Sequence, residues 1–237
     1  DYPSHQELLK YFSDYAKNFK LNEKIKFNTE VISCEDLKNN KWKITYKDLE
    51  TQKQTILIFD ALVVCNGHHH EPRFPKYPGK FTGDFLHSHD YKKAAPYKGK
   101  RVLVIGGGNS ACDVAVETSR ISKNTTISWR RGYFLIPKFM FGLTTDIFAL
   151  RARLLPKFIR LPFMKFMLEL LQGKNEDIGL PKVDNHVLAT HPTVNSDLYN
   201  SVRHGKVTPK PDVEKMDGKT VYFKDGTHDE YDVIIAC

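Results

Sequence analysis

Arg101-Val-Leu-Val-Ile-Gly-Gly-Gly-Asn-Ser-Ala-Cys112 decides the fold. Val102 to Ile105 is an unbroken apolar run of strand length, as expected of a strand buried on both faces. Gly106-Gly-Gly108 supplies a tight turn, and Asn109 to Ser122 carries apolar residues at helical spacing. A second strand, Thr126 to Arg130, follows closely. Strand, glycine turn, helix and strand make one βαβ unit of a doubly wound α/β sheet.

The turn has the form Gly106-x-Gly108-x-x-Ala111. The first glycine allows the sharp strand-to-helix turn, and the second lets backbone approach a pyrophosphate. The small third residue lets helix and strand pack closely. Orphan N–H groups at the helix start, at the positive end of its dipole, hold phosphates. Asn109 and Ser110 stand where side chains can add hydrogen bonds. A packing turn can carry the same glycines, but the strand before and helix after favour a dinucleotide site. Folds that bind NAD place an acid near the end of the second strand, for the ribose 2′-OH. Here Trp129-Arg130-Arg131 stands there instead. A guanidinium suits a 2′-phosphate by charge and bidentate geometry, and Trp129 or an arginine plane is available to cover adenine. Two solvated arginines are the alternative; their position favours NADPH.

Outward from this unit the texture changes. Ser4-His-Gln-Glu7 is a capping-box pattern, followed by Leu8, Phe12, Ala16 and Phe19 at helical spacing. Trp42, Ile44 and Tyr46 alternate with lysines, as on a half-exposed strand. Ile56 to Phe59 and Leu62 to Cys65 are short apolar runs, the second ending at Asn66-Gly67. Pro72, Pro75 and Pro78 impose an extended connection. From Tyr133 to Gln172 the chain is apolar and basic, with helical spacing interrupted by Pro137, Pro156 and Pro162. Helices packing on the nucleotide domain and helices lying at a membrane interface both fit this segment. The prolines predict short helices and favour packing. Val207 to Val213, Thr220 to Phe223 and Val233 to Cys237 return to β-structure. The chain begins at Asp1 without Met and closes on an apolar run, so a piece of a longer protein is expected.

Composition narrows the classes. With 41% hydrophobic and 12% aromatic residues over 237 positions, a folded core is expected. The net charge of +8 fits an anionic ligand, a membrane surface or nucleic acid. No run of five Lys/Arg and no zinc-finger spacing occurs, so neither nucleic acid nor a metal site is expected. Cys34, Cys65, Cys112 and Cys237 form no C-x-x-C pair. A reducing compartment, the cytoplasm or the cytoplasmic face of a membrane, is therefore expected.

Phe81-Thr-Gly83-Asp-Phe-Leu-His87-Ser-His-Asp-Tyr91 resembles the F-x-G-x-x-x-H-x-x-x-(Y/F/W) fingerprint of flavin-containing and Baeyer–Villiger monooxygenases. Its terminal Tyr91 is similar to the flavin-containing branch. Cys65-Asn66-Gly67-His68 resembles the A-T-G-x motif of that family's FAD domain, and Ser128-Trp-Arg-Arg-Gly132 its segment bearing the 2′-phosphate arginine, best matched by Arg130. His191-Pro-Thr-Val-Asn195-Ser-Asp-Leu198 is also similar, and Val233 to Cys237 resembles the approach to a second such motif. The resemblance implies a two-dinucleotide-binding-domain flavoprotein fold, with a Rossmann-type NADPH domain inserted into an incomplete FAD domain that has a β-meander. It implies a partial FAD domain over 1–95, an NADPH domain over 96–205 with a helical insertion at about 133–180, and a return to the FAD domain over 206–237.

The same resemblance implies the chemistry. NADPH reduces FAD, O₂ adds to give a C4a-hydroperoxide, and a small soft nucleophile, an amine or sulfide, takes oxygen. Phe81, Gly83, His87 and Tyr91 would support geometry rather than move protons; Gly67 would be a flavin contact. No catalytic side chain is expected, since the flavin carries the chemistry. The family's first glycine-rich loop, which holds FAD, is not in these residues, so the chain alone is not expected to oxygenate anything. Baeyer–Villiger oxygenation, N-hydroxylation and non-catalytic nucleotide binding stay open as alternatives.

Overall fold

The computed structural model describes residues 2–67, 69–184, 186–187, 189 and 192–237. Its contacts divide the chain into two units, Asp1–His70 and Glu71–Cys237.

In the first unit, α1 (His5–Asn18) starts on the expected capping box: Ser4 Oγ accepts the Glu7 N–H, and the Glu7 carboxylate accepts the Ser4 N–H at 2.7 Å. Strands β1 (Thr29–Asp36), β2 (Trp42–Asp48) and β3 (Gln54–Phe59) form an antiparallel sheet in that order. Ile44 and Tyr46 are its buried residues, as the alternation in β2 predicts. Leu62 to Cys65 runs outside any strand, and Val63 and Val64 are exposed.

The second unit begins with β4 (Gly79–Phe81), β5 (Asp84–His87) and β6 (Arg101–Ile105), then α2 (Asn109–Ser119) and β7 (Asn124–Ser128). Short strands β8 (Leu135–Ile136), β9 (Phe139–Met140) and β10 (Leu143–Thr144) lead into α3 (Thr145–Ala152) and α4 (Lys157–Gln172). The chain returns through β11 (Thr193–Val194), α5 (Leu198–Arg203) and β12 (Val207–Lys210). It ends on β13 (Val213–Gly218), β14 (Thr220–Phe223), β15 (His228–Glu230) and β16 (Val233–Ala236).

Two sheets organise this unit. The first is parallel, in the order β12-β7-β6-β16-β5. The second has the order β15-β14-β13-β4. Neighbouring side chains on a strand point to opposite faces, so β6 serves two cores. Val102 and Val104 pack with Ala111, Ala115, Trp129 and Leu198, beneath the helices. Leu103 and Ile105 pack with Val221, Phe223 and Tyr231 of the second sheet's side. Ile234 joins the latter cluster while Val233 and Ile235 join the former. This double burial is why β6 from Val102 onward and all of β16 are apolar.

Within residues 206–237, β12 and β16 join the sheet that contains β6 and β7. The fingerprint strands β4 and β5 pair with β13 and β16 and fall in the unit Glu71–Cys237. The structure departs from expectation at Pro162, which does not end a helix: α4 runs through it for 16 residues, and its Phe158, Phe163 and Phe166 are exposed instead of packed. Pro162 removes one i→i−4 bond near the helix start, while burial of Met164 and Leu168 with Ile136, Met140 and Val187 holds the remaining turns.

Candidate functional site

The turn between β6 and α2 is shaped by close approaches. Gly106 has φ +143°, and a side chain there would meet the Cys237 carbonyl at 2.8 Å. Gly107, between the two motif glycines, lies under the Tyr133 ring, which a Cβ would meet at 2.3 Å. Nothing stands within 4 Å of a Cβ at Gly108, so that backbone faces open space. Gly108 is also the N-cap of α2, and no side chain caps the helix. The orphan N–H groups at this end therefore face outward, the arrangement that binds a phosphate. Ser110 is exposed in the first turn, while Ala111 is buried and packs closely on Gly106.

A cleft of about 810 Å³ opens over this turn, lined by Gly106, Gly107, Gly108, Arg130, Arg131 and Tyr133. Arg73 and Lys76 line it from the segment before β4, and Tyr77 and Asp212 face the same space. Asp212 is the one acid among the described lining residues, and Lys224 pairs with it at 2.7 Å. Four cations thus surround a bare helix N-terminus. Tyr77 donates to Asp212 at 3.3 Å; burial first, then that carboxylate, push its phenol up to about 12. Tyr77 therefore stays protonated at neutral pH and adds no charge of its own.

The expected residues divide. Gly106, Gly108, Arg130 and Arg131 converge on the cleft. The Asn109 amide donates to the Pro192 carbonyl at 3.3 Å and accepts the Val194 N–H, fastening α2 to β11. Trp129 cannot cover an adenine, because it is 0% exposed and packs edge-on against Tyr133 at 5.5 Å. Tyr133 lines the cleft beside the turn, with the Arg131 guanidinium 5.3 Å over its ring. Sequence reading missed Gly107, Tyr133, Tyr77 and Asp212. Only Gly107 carried a local signal, as the third glycine of a run.

Phe81, Gly83 and His87 stand where the chain crosses from one sheet to the other. A Cβ at Gly83 would meet the Phe81 ring and the Asp232 carbonyl at 2.6 Å. His87 pairs in register with Ala236, and the Ser88 N–H donates to the Ala236 carbonyl at 2.7 Å. Tyr91 stacks on Tyr97 at 5.7 Å, against the core beneath α2. The fingerprint therefore clamps an edge strand beside β16. Asn195 ties α2 to α5: it donates to Asp113 at 2.8 Å and accepts the Asp197 and Leu198 N–H groups. Gly67 lies in the first unit with φ +73°. His68 and His191 of the noted motifs lie outside the described residues.

A family model described as flavin-binding monooxygenase-like matches residues 1–237. The chain is 34% identical over 257 residues to dimethylaniline monooxygenase [N-oxide-forming] 2 of Oryctolagus cuniculus, covering 99% of this chain and 47% of that protein. It therefore spans about half the length of the curated relatives it matches. The structure of Tmm from Pelagibacter sp. strain HTCC7211 superposes with a TM-score of 0.65 at 27% identity, over 99% of this chain and 39% of that one. Cyclohexanone monooxygenase from Rhodococcus sp. Phi1, solved bound to NADP+, shares the fold alone: TM-score 0.70, 17% identity, 100% of this chain and 56% of that one.

Proposed function

The chain belongs to the flavin-binding monooxygenase-like family, and on that premise we propose that it forms the NADPH site of an FAD- and NADPH-dependent monooxygenase acting on a small soft nucleophile, an amine or a sulfide, with O₂. The observation that carries the NADPH assignment is the cleft in which the uncapped N-terminus of α2 meets Arg73, Lys76, Arg130 and Arg131.

The residues present fit the nucleotide. Gly106 and Gly107 give way to backbone and to Tyr133, and Gly108 leaves room for a pyrophosphate against the α2 N–H groups. Ser110 is placed to add a hydroxyl donor. Arg130 pairs with the 2′-phosphate, and Arg131, braced on Tyr133, adds charge beside it. For the flavin, Gly67 is the contact assigned within the described residues, and no step is routed through it. In the complete protein, bound NADPH and flavin supply the electrons that activate O₂. This chain's residues bind and orient the nucleotide; Phe81, Gly83, His87 and Tyr91 hold the edge of its sheet.

Titration calorimetry on the chain tests the assignment. NADPH binds more tightly than NADH, and Arg130→Ala lowers NADPH affinity by roughly 1.5–3 kcal/mol while leaving NADH nearly unchanged. Equal affinity for both nucleotides in the unaltered chain would remove Arg130 from the role.

A further inference from the structure

Cations suit the phosphates of a nucleotide, but the cleft over Gly106 also presents a carboxylate, that of Asp212. Backbone bonds place it beside Arg130. The last pair of β12 and β7 is Lys210 with Ser128, and Asp212 and Arg130 each stand two residues beyond it. The Trp129 N–H donates to the Lys210 carbonyl at 3.0 Å, and Ser128 Oγ donates to the Pro211 carbonyl at 2.7 Å, which keeps the two strand ends together. Tyr77 joins them from the segment before β4. Its hydroxyl donates to Asp212 at 3.3 Å, the Arg130 charge acts on the same phenol, and its half-buried ring lines the cleft.

A bare carboxylate here would repel a phosphate, and Lys224, 2.7 Å from Asp212, offsets that charge. One Asp212 oxygen takes the Tyr77 hydroxyl and the other the Lys224 ammonium. Each keeps lone-pair capacity for a further donor, and a carboxylate only accepts, so the ligand group that meets it must donate. At the adenosine end of NADPH the 2′-hydroxyl is phosphorylated, which leaves the adenine N6 amine and the ribose 3′-hydroxyl as donors. The flat Tyr77 ring beside the carboxylate suits a base. We propose that Asp212 determines base specificity: its carboxylate accepts a hydrogen bond from the adenine N6 amine, with the Tyr77 ring against the base beside Arg130. This assignment rests on the NADPH reading of the cleft and deepens it. The same residues also latch the segment before β4 to the β12–β13 corner, and a latch alone would not sense which base is bound.

Calorimetry on the chain compares NADPH with reduced nicotinamide hypoxanthine dinucleotide phosphate, which carries a carbonyl oxygen in place of the N6 amine. The unaltered chain is expected to prefer NADPH roughly ten- to hundredfold, because the analogue sets an oxygen against the carboxylate. Asp212→Ala brings NADPH down to the affinity of the analogue. Asp212→Asn, whose amide both donates and accepts, binds the two about equally. Equal affinities in the unaltered chain overturn the proposal and leave the NADPH reading in place. An Asp212→Ala variant that weakens both nucleotides by the same factor also overturns it, since the residue is then a latch. A chain that binds neither nucleotide overturns the NADPH reading, and the proposal with it.

Discussion

Asp232 shows how single residues at strand ends fix the sheets. Its carboxylate accepts the Arg101 backbone N–H at 3.0 Å and the Arg101 guanidinium at 3.1 Å, and Lys219 stands 3.4 Å away. Arg101 also pairs with Glu230 at 2.8 Å, which joins β6 to β15. The Arg101 hydrogen bonds hold the Asp232 carboxyl well below the usual carboxylate range. A carboxyl whose folded pKa is depressed stabilises the fold above its unfolded pKa of about 4. That contribution is lost as pH falls through the lower folded value. Asp232→Ala is expected to cost roughly 1.5–3 kcal/mol near neutral pH. Thermal midpoints of both proteins followed into acid check this: the gap is constant above about pH 4 and closes below it. A gap that widens on acidification would contradict the assigned sign.

At the scale of elements, the turn between β6 and α2 is set as much by what packs on it as by its own sequence. Gly106 and Gly107 admit no Cβ, one because of the Cys237 carbonyl and the other because of the Tyr133 ring. Gly107→Ala therefore displaces Tyr133, which braces Arg131 by a 3.3 Å hydrogen bond and a cation–π contact. The substitution is expected to weaken NADPH binding about tenfold or more and to lower the thermal midpoint. Adding Tyr133→Ala vacates the space the new methyl needs. The double variant should regain thermal stability relative to Gly107→Ala, without regaining full affinity. Calorimetry and thermal melts on the two variants measure this; an inert Gly107→Ala would mean the ring is not held there.

For the whole molecule, contacts divide the chain at His70/Glu71. Both strands of the fingerprint are paired to strands from the end of the chain, and every residue lining the cleft over Gly106 lies beyond Glu71. Residues 71–237 expressed alone are expected to melt in one cooperative transition and to bind NADPH as tightly as the whole chain. Circular dichroism melts and calorimetry decide it, and loss of either property would show that the site needs the first 70 residues.

The sequence by itself determined the parts whose signals are local. Continuous apolar runs at Val102–Ile105 and Val233–Ala236 announce strands covered on both faces. The Gly106–Ala111 run announces a tight strand-to-helix turn, and Ser4-x-x-Glu7 a helix start. The position of Arg130 at the cleft was legible because strand length fixes what stands at a strand's end. Tertiary structure alone decided the partners. β16 lies between β6 and β5, far from both in the chain, since an apolar run records that a strand is buried and not what buries it. Trp129 faces the core while Tyr133 faces the cleft, because the backbone bend after β7 chooses the side. Tyr77 and Asp212 reach the site from segments 135 positions apart, which no spacing rule connects. The exposed side of α4 was decided the same way: its sequence is apolar around the whole helix, and only the placement of Met164 and Leu168 against their neighbours shows which half remains bare.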